Sequence, residues 1–279
     1  MNKIINIAGS ARHYLPRQQK HSRTIGHFVK NGIMEFNSPK LAIEHAKKRI
    51  LKALHSEQPF ERGIVIKNNT LINEVNGNSN EVTISGKYLN NSDCFVHGHL
   101  FDTPLSFEDF EAVMLGGGNS VIAYNPKGEY SRIDIKPRKW ADYLPKDSRQ
   151  KVYRQEREAV VENARSDYFL KIDIALDNMT STNMNKIRED LDSLLANLKF
   201  KDQLRILTSF QSWQNNKLVN LDDVPEGTKD FFEKLNNYST KVFYNALHQF
   251  WQENIHKYGG KYTTNYTNFG KLLILKISE

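Results

Sequence analysis

The apolar period changes once along this chain, and that change limits the folds open to it. From Glu61 to Ile135 the apolar residues come in short runs (GIVIK, TLINEV, EVTIS, CFVHGH, SVIAY, EYSRIDI), bounded by Asn, Gly, Ser or Pro. Runs of that length between turn signals read as short strands. After KPRKWADYLP the apolar residues recur at spacings of three and four, near 147–166, 185–198, 200–213 and 228–257, which is the helical period. One further helix precedes the strands. Ser38 and Pro39 supply its cap and first residue, and Ile43, Ala46, Ile50 and Leu54 form its apolar stripe. Residues 1–37 read as an arm or a loosely packed entry to the fold. The expected class is α+β, in three segments: 1–57 as basic arm and amphipathic helix, 58–136 as a compact strand-rich module, and 137–279 as a mainly helical region.

A chain of 279 residues buries a proper core without staples. The single cysteine, Cys94, cannot form an internal bridge and sits in an apolar run, so a buried, inert thiol and a reducing cytosol are expected. No apolar stretch approaches the roughly 20 residues that span a bilayer, and the N-terminus lacks the apolar core of a secretory signal. A soluble, cytoplasmic protein with no membrane partner is the expectation. The net charge of +7 is unevenly spread: residues 1–60 carry 11 Lys or Arg against 3 acids, residues 61–135 carry 5 against 10. The basic segment suits nucleic acid or another polyanion, through phosphate neutralisation, or equally a solvated surface.

The stretch DCFVHGHLFDTPLSFEDF holds the chemistry. On a strand, alternate side chains share a face, so His97 and His99 project together while Gly98 leaves the opposite face without bulk. Six residues after His99, Ser106 begins a helix, and Asp109 lies in its first turn. Two imidazoles and a carboxylate brought together this way leave a fourth position on zinc for water. The rival explanation is a capping box, because Ser106 and Asp109 have the S-x-x-D spacing that satisfies a helix N-terminus without any metal. The helix should close at Gly116, Gly117 and Gly118, and NPKG should turn between the last two strands.

His97-Gly98-His99, six residues, Ser106, two residues and Asp109 resemble the H-x-H-x7-S-x2-D motif of the JAB/MPN (JAMM) metalloprotease fold. That family includes deubiquitinating isopeptidases and bacterial RadC-type proteins. The wider run, from ERGIVIKNNTLINEV to VIAYNPKGEY, looks most like the JAB-like domains of phage and prophage proteins. The likeness covers about residues 58–136, and FYNALHQFWQENIHKYGGKY is similar to the tail that often follows such domains. The chain departs from the pattern in carrying Leu100 where the family usually has proline, and in a loop one residue shorter.

The resemblance implies a mixed sheet flanked by helices and a zinc hydrolase that cuts a peptide or isopeptide bond in a peptide or protein substrate. By this likeness His97, His99 and Asp109 hold Zn²⁺, Ser106 steadies the oxyanion, and an upstream glutamate is the base. Strand position points to Glu61, with Glu74 as the competitor. The alternative class is a JAB-like scaffold of weak or no activity, attached to nucleic acid or to a particle by its basic and helical ends.

Overall fold

The computed structural model describes residues 26–29, 33–79, 81–135, 145–196 and 198–266. Most of the basic arm, residues 1–25, and the connector at 136–144 lie outside the described residues. The fold is α+β. Its sheet has eight strands in the order β1-β2-β4-β3-β5-β6-β7-β8. They are β1 Gly26–Val29, β2 Ile33–Phe36, β3 Arg62–Lys67, β4 Thr70–Asn76, β5 Cys94–Gly98, β6 Ser120–Tyr124, β7 Tyr130–Ile135 and β8 Gly260–Thr264. Every described pairing is antiparallel except β5 with β6, so the sheet is mixed.

Local chemistry explains the turns. Lys67 pairs with Thr70, leaving a two-residue loop in which Asn68 and Asn69 have φ of 50° and 60°. Asparagine tolerates the left-handed region that such hairpin turns demand. Asn125–Gly128 turns as expected, closed by a 2.9 Å bond from Gly128 N to Asn125 O, with Gly128 at φ 76°. Parallel strands cannot be joined by a tight turn, so the chain from β5 to β6 crosses over through helix α3, Phe107–Gly116.

Helix α1, Pro39–Leu54, begins where expected: Ser38 Oγ accepts from Leu41 N at 3.3 Å, and Pro39 opens the helix. Its Ala42, Ala46, Ile50 and Leu54 pack against Ile64, Ile66, Cys94, Val96 and Ile122 on one face of the sheet. Gly98 belongs to this face. A Cβ there would lie 2.8 Å from Ile50 and 3.1 Å from Leu54, so its lack of a side chain lets α1 sit directly behind the histidine strand.

Cys94 is buried in this core, and burial pushes its thiol up to about 12. A thiol of that pKa holds roughly 1,000-fold less thiolate than an ordinary one at the same pH. At pH 8 the folded protein is expected to leave a thiol-specific reagent unconsumed, with one equivalent reacting on denaturation. Rapid native labelling would contradict the packing described.

Three expectations are corrected. Residues 26–36, read as arm or loose entry, contain β1 and β2, which pair with each other and extend the sheet from β4. EVTIS is not a strand: Asn78 N bonds to Glu81 O and Glu81 N to Asn78 Oδ1, curling the segment, and a short helix α2, Gly86–Leu89, follows. Val82 and Ile84 alternate for packing rather than for pairing. The separate helices at 147–166 and 185–198 are one, α4 Lys146–Leu195. No glycine or proline interrupts that span, and Tyr168, Ile172 and Met179 carry burial through its weakly periodic middle.

The chain divides into two compact units, one drawn from 1–166 and 251–267 and the other including 167–250. The first holds the sheet, which runs beyond the 58–136 span. The second is helical. In it α4 packs with α5, Phe200–Asn216, and α6, Lys229–Asn254, around Ile187, Leu191, Ile206, Phe210, Trp213, Phe232 and Leu235.

Candidate metal centre

The face of the sheet opposite α1 carries the odd-numbered residues of β5. His97 lies there, in register with Gly63 on β3 and Ala123 on β6. Both neighbours are small, which leaves room for an imidazole. Gly63 also makes room for Phe95, since a Cβ there would stand 2.9 Å from that ring, and the His97 ring stacks on Phe95 at 5.0 Å and 15°. His97 is 1% exposed.

His99 continues the strand direction through a 2.8 Å bond from its N–H to Tyr124 O. Its Nδ1 lies 3.2 Å from Thr103 O and 2.9 Å from Thr103 Oγ1. A carbonyl only accepts, so Nδ1 carries the proton and Nε2 is left with its lone pair. Thr103 O also accepts from Tyr266 Oη at 3.0 Å, which ties the histidine's support to the end of β8. Leu105, further along the same loop, is held by Leu105 N to Ser131 Oγ at 3.0 Å and by Trp251 Nε1 to Leu105 O at 2.8 Å.

Asp109 is the third residue of α3, and the capping box read from the sequence is real. Ser106 Oγ accepts from Asp109 N at 3.1 Å, and Asp109 Oδ2 accepts from Ser106 N at 2.8 Å. The same carboxylate meets His97 Nε2 at 3.1 Å through Oδ1 and His99 Nε2 at 3.4 Å through Oδ2. The two Nε2 atoms are 3.0 Å apart. Capping and convergence on the histidines are therefore not rivals, because the cap is what aims the carboxylate.

These contacts have an electrostatic consequence. With Nδ1 of His99 protonated, a neutral ring points a lone pair at a carboxylate and at a second imidazole, an arrangement that only a proton or a cation relieves. The groups respond accordingly. Burial works against charge on His99, but the Asp109 carboxylate, and behind it Glu61, raise its pKa above the ordinary value. Burial likewise opposes charge on Asp109, yet the two histidines hold its carboxyl well below the usual range.

The donor set fits a divalent metal. One ligand atom from each of the three residues lies within 4.8 Å of the others, and among the described residues no other such group of three His, Cys, Asp or Glu occurs. The 3.0, 3.1 and 3.4 Å separations are near the edge, about 3.3 Å, of a tetrahedron with ~2.0–2.1 Å bonds of the zinc–nitrogen kind. Thr103 supplies the outer hydrogen bond that commonly fixes the tautomer of a metal-ligating histidine.

Of the two glutamates, the structure brings Glu61 toward this set. It is 8% exposed, and its backbone is fixed by Glu61 N to Asn78 O and Gly77 N to Glu61 O, both 2.8 Å. Burial raises its pKa above the ordinary 4.5, against the pull of His99 and His97. Glu74 is engaged elsewhere, with Arg49 at 2.7 Å and Arg62 at 3.3 Å. Sequence reasoning missed Thr103, Tyr266 and the small neighbours Gly63 and Ala123. Thr103 sits four residues from its partner and was within reach of a search for outer hydrogen bonds. Tyr266 is separated from Thr103 by 163 residues, and no local pattern signals it.

No family model, curated protein or solved structure matches this chain. The reading of its function therefore rests on the residues themselves. No described helix is long and apolar enough to cross a membrane.

Proposed function

We propose that the protein is a zinc-dependent hydrolase of the JAMM type, cleaving a peptide or isopeptide bond. The observation that carries the reading is the convergence of His97 Nε2, His99 Nε2 and the Asp109 carboxylate, with the buried Glu61 carboxyl in their electrostatic field. A zinc ion held by these three residues acidifies water and polarises a carbonyl. Glu61 is placed to accept the proton that attacking water loses and to pass it to the leaving amine, and its raised pKa moves it toward the range where a carboxyl does both. Ser106 Oγ accepts from Asp109 N, which leaves its own hydrogen to donate to the developing oxyanion.

Glu61→Gln tests the reading. Zinc content should be unchanged and hydrolysis of a panel of linear and isopeptide-linked substrates should fall by at least about 100-fold, the low end for a positioned acid–base group. The same variant carries a stability signature in chelator. A carboxyl whose folded pKa is raised costs nothing below about pH 4, where both states are protonated. The cost grows as pH rises through the unfolded value toward the folded one, and it persists above. Metal-free Glu61→Gln should thus melt higher than the parent at pH 7, by about 2–4 °C per kcal/mol in a protein of this size, and equally with it near pH 4. Full activity in the variant, or no hydrolysis by the zinc-loaded parent on any substrate of the panel, would sink the proposal.

A further inference from the structure

The helical unit carries two exposed apolar stripes that the metal centre does not use. Phe169, Leu170 and Ile174 lie on α4, and Phe200, Leu204 and Leu207 recur at i, i+4, i+7 on α5, all between 45% and 73% exposed. Buried positions of the same helices, Ile172 on α4 and Ile206 and Phe210 on α5, already supply the inward faces. The stripes therefore face outward by design of the pattern rather than by a shortage of core.

Their charges differ in sign. Asp167, Asp173 and Asp177 are exposed around the α4 stripe, whereas Lys199, Lys201 and Arg205 are exposed around the α5 stripe. The two stripes also lie at opposite ends of an antiparallel helix pair. Gln203 Nε2 donates to Leu195 O at 3.0 Å near one end, and Lys217 Nζ lies 3.8 Å from Asp177 near the other. At 1.5 Å per residue the stripe centres are about 30 Å apart along α4.

We propose that this face is a self-association surface, on which two copies of the chain pair reciprocally. The acid-rimmed α4 stripe of one copy seats on the base-rimmed α5 stripe of the other, at both ends. A two-fold arrangement does this automatically, because when residue i meets residue j, j also meets i. Area selects the reciprocal form. Exposed large side chains of this kind offer on the order of 100 Å² each, so a single stripe-on-stripe contact buries about 600 Å² in total, within the range of adventitious contacts. Two contacts bury about 1,200 Å², which reaches the lower bound of stable interfaces. Like-charged stripes facing each other are disfavoured, and this sets the pairing of α4 with α5 rather than of either helix with itself.

Sedimentation of the full chain should give twice the 32.3 kDa chain mass at low micromolar concentration. The deciding experiment uses two charge-reversed variants: Asp173→Lys with Asp177→Lys, and Lys201→Asp with Arg205→Asp. Each alone faces like charge at both contacts and should sediment as a monomer. Mixed one to one, each variant's altered stripe meets a complementary one, and a heterodimer should form. All four positions are exposed, so circular dichroism and melting temperature should match the parent and show that folding is retained. A parent that stays monomeric up to 100 times that concentration overturns the proposal, as do charge-reversed variants that remain homodimers or fail to pair on mixing. A parent that dimerises only after removal of residues 267–279 also overturns it, by showing that the chain's own C-terminal segment covers the surface.

Discussion

Asp109→Ala is expected to abolish metal binding and to lower stability even without metal, because one side chain holds both the helix cap and the third donor. The cap alone is worth about 1 kcal/mol. The loss of metal affinity should exceed the ~10–100-fold that removal of an outer-shell partner costs. Asp109→Asn separates the two roles. Its amide oxygen still accepts from Ser106 N, so the metal-free melting temperature should stay within a few degrees of the parent, but the anionic donor is gone and zinc should be lost. The measurement is zinc stoichiometry after dialysis, beside thermal melts with zinc and with chelator. Since a ligand stabilises only the state it binds, the parent should melt higher with zinc and the Asn variant should not. An Asn variant that retains one equivalent of zinc would remove Asp109 from the site.

Trp251→Ala is expected to be the most damaging single change in the sheet-bearing unit. Trp251 is fully buried, stacks over Phe107 at 6.2 Å and Phe110 at 5.2 Å, and donates Nε1–H to Leu105 O. Truncating a buried aromatic of this size costs about 3–5 kcal/mol, or roughly 6–20 °C in melting temperature. Trp251→Phe keeps much of the packing but strands the Leu105 carbonyl, which costs about 1–3 kcal/mol. Because Leu105 lies between His99 and Ser106, both variants should weaken zinc binding as well as melt early. A Trp251→Ala protein within 1 kcal/mol of the parent in urea unfolding would mean that the ring is not the wedge described.

Much of this was legible in the sequence because it is local. The cap at Ser38, the two-asparagine turn, the α3 capping box and the alternation of His97 and His99 are each decided within a few residues, and each is found as read. What was misread depends on distant partners. EVTIS alternates like a strand, but the asparagine at position 78 bonds to Glu81 and curls the segment. Residues 26–36 look unpatterned until β4 supplies the edge on which β2 pairs. The choice between Glu61 and Glu74 could not be made from spacing, since it turns on Arg49 and Arg62 claiming Glu74 from the other face of the sheet. The capping box was set against the metal reading as an alternative, whereas the structure makes one the support of the other.

The three donors span only positions 97–109 of the chain, and this locality bears on the order in which the protein assembles. Closing a loop costs entropy that grows with the logarithm of its length, by ≈0.6 kcal/mol for each doubling. The Tyr266–Thr103 contact closes a loop of 163 residues and so carries roughly 2 kcal/mol more closure cost than the donor set itself. During folding, the crossover from β5 through α3 to β6 therefore gathers the two imidazoles and the carboxylate before β8 arrives. Metal capture belongs to the early, short-range phase, and the C-terminal strand acts as a late seal that fixes the tautomer of a histidine already in place.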